Sequence, residues 1–336
     1  MSEKLNWGVL GNATIARVCV IPAIQKSRNG IVRALASHSP QKTAEVAKIN
    51  QVSRIYEDYT TLIEDPEIEA VYIPLPNHLH CEWTLMALAA GKHVLCEKPL
   101  ACNAREAEAM ADAARSSGRL LMEAFMYRFH PRSRRIRELV RTGTLGPPRL
   151  IRSAFCFPMA AKDYNNPHNA RLKPEMGGGA LLDVGCYSVS LARWIFGAEP
   201  RQVQCQACYH SGGVDVHVSG MLKFEGQRLA TLEASFITAL QQTYTVVGEK
   251  GAVELPHDAF IPWEKDALYI LRLDDAATAP PTVIPPADEY RLMVEHFVDA
   301  ARGDAAPESL PADSVANMRV LDALAQAARS GAAVRV

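Results

Sequence analysis

One lysine of this chain has a setting that indicates chemistry rather than packing. Lys98 stands between an acid and a proline, in Glu97-Lys98-Pro99, directly after the apolar run KHVLC. Neither a buried core nor the solvated face of a helix explains a lysine at such a strand end. Beside a substrate hydroxyl, its ammonium would lower the pKa of that hydroxyl, or of a neighbouring phenol. Glu97 has a simpler alternative, which is to bind a backbone donor and shape the turn.

A carboxylate and a phenol four residues apart form a second candidate site. Asp183 and Tyr187 lie in GGGALLDVGCYS, and on a helix this spacing puts both on one face. Together they could bind vicinal hydroxyls and exchange a proton. A tyrosine with its usual pKa of about 10 is a poor base, but a nearby ammonium favours the phenolate. Without Lys98 opposite, the pair would be a half-buried aromatic and a helix-start acid.

A small-residue turn between a strand and a helix is the third candidate. In WGVLGNATIA, Gly11 permits a tight turn, Ala16 allows close packing, and the helix start offers N–H donors to a pyrophosphate. Ala13 departs from glycine at the middle position, and its methyl moves the phosphates slightly away. An ordinary strand–turn–helix is the alternative. The predicted dinucleotide contacts are Gly11, Asn12, Ala13, Thr14 and Ile15.

The residues at the end of the next apolar run indicate whether the dinucleotide is NAD or NADP. An acid that binds the ribose 2′-hydroxyl of NAD is expected about 20 residues after the glycine, but the next carboxylate is Glu45. Ser37, His38 and Lys42 instead offer hydroxyl and cationic donors that suit a 2′-phosphate. We therefore expect NADP, with NAD as the alternative. Ser37 and Ser39 could instead cap the following helix.

Two kinds of scaffold must position these residues. Up to about residue 125, strand-like runs (5–10, 31–37, 70–75, 92–96, 119–124) alternate with helical patterns that begin near Thr14, Pro40, His78 and Asn103. This alternation predicts an α/β fold with a doubly wound parallel sheet, which binds ligands beyond the carboxyl ends of its strands. Pro74, Leu75, Asn77, the Glu97–Pro99 segment and Glu123 fall there.

After residue 148 the pattern becomes that of an α+β domain. A strand (149–158), a polar loop (163–179) and a helix (180–196) precede strand-like runs without helices between them (201–210, 214–224, 228–237, 241–248). These runs predict an open, mostly antiparallel sheet. A loop at 276–287 and helices at 289–302 and 312–329 follow. We expect a dinucleotide-binding domain at 1–125 and a substrate-binding and oligomerisation domain at 126–336, whose C-terminal helices are able to pack back on the first.

Composition argues against several function classes. With 36 Lys and Arg against 37 Asp and Glu, the net charge of −1 offers no electrostatic attraction for nucleic acid or an anionic membrane. We expect no membrane helix and no secretory signal. Eight scattered cysteines among 336 residues indicate a reducing cytoplasm. Cys205 and Cys208 form one C-x-x-C without a second pair, so no metal is expected.

The motifs together resemble the Gfo/Idh/MocA oxidoreductases, a family that includes glucose–fructose oxidoreductase, inositol dehydrogenase, xylose dehydrogenase and dihydrodiol dehydrogenase. The resemblance rests on WGVLGNATIA, PNHLH, GKHVLCEKPLA, MEAFMYRFHP and GGGALLDVGCYSV, in that order over residues 7–189. It implies that Lys98 is the catalytic lysine and that Tyr187 stands where inositol dehydrogenase-like members carry histidine. The implied cofactor neighbours are Asn77, His80, Glu97, Lys98, Pro99 and Glu123, and the implied substrate contacts are Tyr127, Arg128, Arg171, Asp183 and Tyr187.

The resulting hypothesis is an NADP-dependent dehydrogenase of a sugar or cyclic diol. Tyr187, assisted by Lys98 across the bound nicotinamide, would exchange the hydroxyl proton, and Asp183 would orient a hydroxyl. Loops 156–176 and 257–266 would set specificity. One alternative is a ketoreductase of nucleotide-linked keto sugars. It would need a positively charged site for a diphosphate, which could come from Arg152, Lys162, Arg171 and Lys173. The other alternative is a non-catalytic NADP-binding regulator. An uncovered face of the second sheet predicts a homodimer or homotetramer.

Overall fold

The chain forms two compact units that are interleaved along the sequence. The computed structural model describes residues 4–37, 39–274 and 280–336, and for residues 40–42 the backbone only. The first unit comprises Met1–Phe129 and Asp288–Val315, and the second comprises His130–Ala287 and Ala316–Val336. The functional division expected after residue 125 stays a prediction.

The first unit contains the predicted doubly wound parallel sheet. Its six strands are β1 (Leu5–Leu10), β2 (Gly30–Ala36), β3 (Arg54–Tyr56), β4 (Ala70–Ile73), β5 (His93–Cys96) and β6 (Leu121–Glu123). They lie in the order β3-β2-β1-β4-β5-β6, and every neighbouring pair is parallel. The order reverses at β1, so the strands leave a crevice beyond their carboxyl ends between β1 and β4.

Helices connect these strands close to the predicted starting points. Residues 14–26 are helical, with a π-turn (Ala16–Val20) before α1 (Ile21–Lys26). The others are α2 (Pro40–Ile49), α3 (Tyr59–Glu64), α4 (His80–Ala89) and α5 (Ala104–Ser117). Asn103 begins α5 because its side chain accepts a hydrogen bond from the Glu106 amide. The sequence interpretation missed β3 and α3, because three and six residues are too few to show a periodicity.

The second unit contains the predicted, mostly antiparallel sheet, with one parallel pair of strands. Its helices include α6 (Pro131–Arg141), α7 (Ala161–Tyr164) and α8 (Cys186–Phe196). Its strands are β7 (Pro148–Cys156), β8 (Gln202–Tyr209), β9 (Asp215–Phe224), β10 (Arg228–Ser235), β11 (Gln241–Gly248), β12 (Gly251–Leu255), β13 (Ala267–Leu273), β14 (Thr282–Ile284) and β15 (Val334–Arg335). The order is β14-β13-β12-β11-β7-β10-β9-β8-β15, and among these described strands β7 and β10 pair in parallel while the other neighbours are antiparallel.

Two loop predictions need correction. Thr282–Ile284, inside the predicted loop at 276–287, forms β14 at the edge of the sheet. Its side chains are mostly exposed and prolines flank it, so no alternation of burial marks it as a strand. The predicted loop at 163–179 contains the end of α7 and two 3₁₀ turns. Strands β12 and β13 were not anticipated.

The two C-terminal helices begin and end close to the predicted residues. They are α9 (Glu289–Arg302) and α10 (Pro311–Ser330). Helix α9 belongs to the first unit, where the Phe297 ring lies 4.8 Å from that of Trp7 and both side chains are fully buried. Across the three described ranges, none of the helices combines the length and the apolar character that crossing a membrane requires.

Candidate active site

The turn after β1 has the geometry of a dinucleotide cradle. Gly11 has a φ of +102°, and a Cβ at this residue would lie 2.8 Å from the Leu75 side chain. Its amide donates to the Ala36 carbonyl at 2.7 Å, which holds the turn against β2. The buried Asn12 Nδ2 has no hydrogen-bond acceptor within the described parts of the chain. A ligand with an acceptor oxygen, such as a phosphate, would satisfy that amide.

The helix after this turn carries the remaining predicted phosphate contacts. Ala13, Thr14 and Ile15 form its start, and the Ala13 carbonyl accepts from the Arg17 amide at 3.1 Å. The Arg17 guanidinium donates to the Thr14 hydroxyl at 3.2 Å. Arg17 thus adds a cation at the cradle that the sequence analysis did not single out. Its position in the first turn of a helix that opens a nucleotide motif was the available signal.

At the end of β2 the structure describes one of the three predicted 2′-phosphate contacts. Ser37 is buried, and its hydroxyl accepts from the Ser39 amide at 3.2 Å. Ser39 makes no side-chain cap on α2, so the capping alternative fails for Ser39, whereas Ser37 does shape this turn. His38 and the side chain of Lys42 lie outside the described residues.

His80 ties the segment after β4 to the segment after β5. Its ring is fully buried, with Nδ1 2.9 Å from the Pro99 carbonyl oxygen and Nε2 2.7 Å from that of Leu75. Burial lowers the His80 pKa, and the two carbonyl acceptors oppose that shift by favouring the charged ring. Pro74 is also buried, and Asn77 is half-buried. His80 therefore links the Leu75 carbonyl to the Pro99 carbonyl, directly after the cis Lys98–Pro99 peptide.

Glu97 is held by a phenol from the neighbouring strand. The Tyr72 hydroxyl donates to Glu97 Oε1 at 2.6 Å, and the Lys98 amide donates to Oε2 at 3.3 Å. The Glu97 amide donates to the Ile73 carbonyl at 3.1 Å, so its backbone still belongs to the sheet. Glu97 and Lys98 are both half-buried. The sequence analysis missed Tyr72, because a tyrosine within an apolar strand is normally interpreted as a residue of the hydrophobic core.

Glu123, the last residue of β6, contacts the chain just after the same segment. Its side chain is almost fully buried, and Oε1 accepts from the Leu100 amide at 2.9 Å. Burial raises the Glu123 pKa to about 7, with Asp313 adding to the shift, while a Ser314 side-chain hydrogen bond and the Arg128 charge oppose it. The structure gives Glu123 a supporting contact, and a direct cofactor contact stays a prediction.

Two predicted substrate residues lie in the buried 3₁₀ turn Met126–Phe129. Tyr127 and Arg128 are each no more than 3% exposed. Arg128 Nη1 lies 2.8 Å from Asp313 Oδ2, and the guanidinium covers the Phe125 ring at 5.6 Å. The Arg128 charge is therefore already paired within the first unit. Substrate contacts of these two residues stay a prediction.

The second unit brings together Arg171, Asp183 and the helix that carries Tyr187. Arg171 Nε lies 2.7 Å from Asp183 Oδ2. A π-turn (Leu181–Gly185) precedes α8, whereas the spacing had predicted a regular helix from residue 180. Such turns are frequent at functional sites. The Tyr187 ring is 4% exposed and packs 5.2 Å from Phe155 and 5.4 Å from Phe260.

The start of this helix is anchored by an acid that the sequence analysis missed. Asp215 Oδ2, on β9, accepts from the Leu181 amide at 2.7 Å. Gly179 has a φ of +117°, and a Cβ there would lie 2.4 Å from Asp215 Oδ1. Burial raises the pKa of Asp215, and the backbone hydrogen bonds oppose that shift. No local pattern links residues 34 positions apart, so Asp215 left no signal in the sequence.

The loop before this helix lines a polar cavity of about 420 Å³. Its walls include Asp163, Asn166, His168, Asn169 and Arg171. The three other cations considered for a diphosphate are Arg152 and Lys162, both exposed, and Lys173, which is half-buried.

The cysteine pair of β8 does not form a joint binding site. Cys205 is buried and Cys208 is exposed, as expected for residues three apart on a strand, whose side chains point to opposite faces. Outside residues 1–3, 38 and 275–279, no group of three His, Cys, Asp or Glu residues is arranged to hold a metal ion.

Comparison with known proteins adds independent evidence. Residues 5–125 match the domain described as "Oxidoreductase family, NAD-binding Rossmann fold", and residues 133–254 match the "GFO/IDH/MocA C-terminal domain". The D-xylose 1-dehydrogenase (NADP(+)) 2 of Haloferax volcanii is 38% identical over 98% of this chain and 99% of its own length.

Two solved structures share the complete fold. The aldose-aldose oxidoreductase from Caulobacter crescentus, complexed with glycerol, has a TM-score of 0.89 at 28% identity and covers 99% of this chain and 100% of its own. A 3-ketoreductase from Actinomadura kijaniata, in complex with NADP and TDP-benzene, has a TM-score of 0.88 at 28% identity, covering 97% of this chain and 98% of its own.

Proposed function

The chain belongs to the Gfo/Idh/MocA family of oxidoreductases, and on that premise we propose that it is an NADP-dependent dehydrogenase that oxidises a carbinol of a sugar or cyclic diol, or reduces the matching carbonyl. The Haloferax and Caulobacter relatives, both named for reactions of aldoses, support the sugar class. Cyclic diols belong to the proposal through the resemblance to dihydrodiol dehydrogenases.

The turn at Gly11 carries the cofactor assignment. The buried, unsatisfied Asn12 amide beside a helix start fits a pyrophosphate, and Ser37 at the end of β2 fits a 2′-phosphate better than a carboxylate would. When bound, NADP supplies a hydride acceptor or donor at its nicotinamide. The first unit would hold it through Gly11–Ile15, Ser37 and the Glu97–Pro99 segment, with His38 and Lys42 as further proposed contacts. NAD remains the alternative cofactor.

Two residues carry the proposed proton chemistry, and a third orients the substrate. Tyr187 takes the hydroxyl proton during oxidation and returns it during reduction, and the Lys98 ammonium assists by favouring the phenolate. Asp183, held by Arg171 at 2.7 Å, accepts a hydrogen bond from a substrate hydroxyl and thereby orients the reacting carbon. Tyr127 and Arg128 complete the proposed substrate contacts.

Charge pairing favours free sugars over nucleotide-linked ones. Arg171 is already compensated by the Asp183 carboxylate, so it offers little net charge to a diphosphate. The likeness to the Actinomadura ketoreductase supports the alternative, a reductase of nucleotide-linked keto sugars. Rates with free aldoses, trans-cyclic diols and dTDP-linked keto sugars, each with NADP(H) and NAD(H), separate the two. Turnover confined to the nucleotide sugars would replace the first function by the second.

Two substitutions test the chemical roles. Lys98→Met and Tyr187→Phe should each lower kcat by a factor of about 10² or more, because general acid–base catalysis contributes at least that much. Tyr187→Phe should still bind NADPH, which quenching of tryptophan fluorescence measures. Folded variants with unchanged turnover would remove both residues from the mechanism. NADPH binding without turnover of any substrate in the panel would favour a non-catalytic regulator.

We further propose a cytoplasmic homodimer or homotetramer. One face of the second sheet presents apolar side chains on adjacent strands, among them Leu150, Met221, Leu229, Val247 and Ile270, which are exposed or half-buried in the single chain. A second copy on that face would cover them. All eight cysteines, each within the described part of the chain, are thiols, which suits a reducing compartment. Sedimentation at micromolar concentration tests the assembly, and monomer alone would reject it.

A further inference from the structure

We propose that Tyr72 is a positioning residue, whose buried hydroxyl holds the Glu97 carboxylate and thereby orients the Glu97–Lys98 step for the reaction. The inference rests on the proposed function. It assigns a role to a residue of the sheet interior that has no place in the mechanism above.

The position of Tyr72 explains why a hydroxyl there needs a function. Tyr72 lies in β4, a strand with all four residues buried, and its side chain is fully buried. Phenylalanine would fill the same space without the cost of burying a polar group. In this chain the hydroxyl has a partner, the Oε1 atom of Glu97 at 2.6 Å. A bond of this length to a carboxylate belongs to the strong, charge-assisted class.

The contact fixes the direction of the Glu97 side chain. The Glu97 amide continues the β4–β5 pairing by donating to Ile73, while its carboxylate returns to the strand that carries Tyr72. The Lys98 amide donates to the second carboxylate oxygen at 3.3 Å. Tyr72 therefore reaches the Lys98 backbone through a single intervening carboxylate.

Two further titratable side chains, Cys19 and Tyr290, lie within reach of the Glu97 charge. Tyr290, at the start of α9, shares a side-chain hydrogen bond with Cys19, and both are close enough for the Glu97 charge to act on them. Burial and, after it, the Glu97 charge raise the pKa of Tyr72. Burial raises the Cys19 pKa to about 11, and the Tyr290 hydrogen bond opposes that shift. Tyr72 consequently keeps its proton and can serve Glu97 only as a donor.

The residues after Lys98 are held independently. His80 contacts the Pro99 carbonyl, and Glu123 accepts from the Leu100 amide. Loss of the Tyr72 hydroxyl should therefore leave the segment folded and remove one hydrogen bond from the Glu97 carboxylate. The expected consequence is a misoriented Lys98 with an intact protein.

The test compares Tyr72→Phe with Tyr56→Phe. Tyr56 is a matched control, because its hydroxyl also donates to a carboxylate of the first unit, Asp65 Oδ2 at 2.9 Å, but on β3. Tyr72→Phe should lower kcat about tenfold and leave the KM of the sugar within about twofold, since one hydrogen bond to a charged group is lost and no substrate contact is removed. Tyr56→Phe should leave both constants unchanged.

A double-mutant cycle shows whether Tyr72 acts through Glu97. When Tyr72→Phe is added to Glu97→Gln, kcat should fall little further, because the carboxylate that Tyr72 binds has already been removed. NADPH dissociation constants, measured by fluorescence for all four proteins, give a second readout in which the two substitutions should also fail to add. Independent, additive effects on kcat would overturn the inference, as would a kcat of Tyr72→Phe equal to that of Tyr56→Phe.

A third variant keeps the proposal testable if Tyr72→Phe does not fold. Glu97→Asp keeps the charge but withdraws the carboxylate by one methylene from the phenol, so it should reproduce the tenfold fall in kcat. An unchanged kcat in Glu97→Asp would contradict the role. Failure of the proposed function is distinguishable, because the unmodified protein would then turn over no sugar or diol with NADP.

Discussion

Arg171 Nε lies 2.7 Å from Asp183 Oδ2, so the acid proposed to bind a substrate hydroxyl is held by a cation from the loop before its helix. Asp183 is mostly buried, whereas the Arg171 side chain is 55% exposed. The pair can therefore reorganise from the arginine side when a ligand arrives. Loss of this ion pair should therefore change substrate binding more than it changes the free energy of unfolding.

Arg171→Ala should raise the KM of the sugar about fivefold, because Asp183 loses the partner that orients it, an interaction of about 1 kcal/mol. The NADPH dissociation constant should not change. Lys162→Ala is the control, since Lys162 is an exposed cation on α7, in the same part of the second unit. Initial rates over a range of sugar concentrations measure both variants. Equal effects of the two variants would indicate general electrostatic attraction instead.

Glu123→Gln should stabilise the protein at neutral and alkaline pH. The Glu123 pKa is raised to about 7 from the 4.5 of an exposed glutamate, so the folded state keeps a proton that the unfolded chain has released. The unmodified protein therefore loses stability as pH rises between these two values, by up to about 3 kcal/mol. Glutamine keeps an acceptor for the Leu100 amide without the charge.

Urea unfolding of Glu123→Gln and the unmodified protein at about pH 5 and about pH 8 measures this difference. The two proteins should differ least at the lower pH. The glutamine variant should be the more stable of the two at the higher pH. A difference in the free energy of unfolding that stays constant with pH would show that Glu123 has an ordinary pKa.

Gly11→Ala should reduce both stability and NADPH affinity. Alanine at a φ of +102° is strained, and its Cβ would lie 2.8 Å from the Leu75 side chain, so the cradle must open. Gly118→Ala is the control, because Gly118 also has a positive φ, +66°, but open space around its Cβ position. Gly118→Ala should cost about 1 kcal/mol of stability, and Gly11→Ala about 1–3 kcal/mol.

Titration with NADPH separates the strain at Gly11 from the damage to the cradle. Only Gly11→Ala should weaken binding, by about tenfold, because the phosphates would lose their approach to the backbone. Equal NADPH affinities of the two alanine variants would place the pyrophosphate elsewhere.

Asp215→Ala should lower both stability and kcat. The Leu181 amide would lose its acceptor at the start of the π-turn. The free energy of unfolding should fall by about 1–2 kcal/mol, as it does when the side chain that caps a helix N-terminus is removed. Asp215→Asn keeps an acceptor oxygen and should cost less. Asp58→Ala is the control, since the Asp58 side chain accepts from the Thr61 amide at the start of α3. It should lower stability to a similar extent without changing kcat, and a parallel fall in kcat would remove the special role of Asp215.

Much of the fold was predictable because local patterns specify it. Alternation of buried runs and helical segments predicted the parallel sheet, and Asn103 and Pro40 marked helix starts that the structure confirms. Strand β14 was not predictable in the same way. A three-residue edge strand pairs with a single neighbour and buries little, so its formation depends on β13 being present beside it.

The candidate site was predictable in its residue types but not in its contacts. Gly11, Lys98, Asp183 and Tyr187 stand out because each is unusual in its local setting. Arg128 was expected near a substrate, and the structure shows it buried against Asp313. Buried charges need partners, and only the folded chain shows which partner each one has.

The amino-acid sequence by itself determined the fold class, the family and the positions of the motifs, because all of these depend on residue types within short segments. Tertiary structure alone decided how the motif residues are held. Tyr72 meets Glu97 across 25 residues, Asp215 meets Leu181 across 34, and Arg128 meets Asp313 across 185. The physical reason is that a hydrogen bond depends on the distance between two atoms in space, and sequence separation carries no information about that distance until the strands and helices have packed.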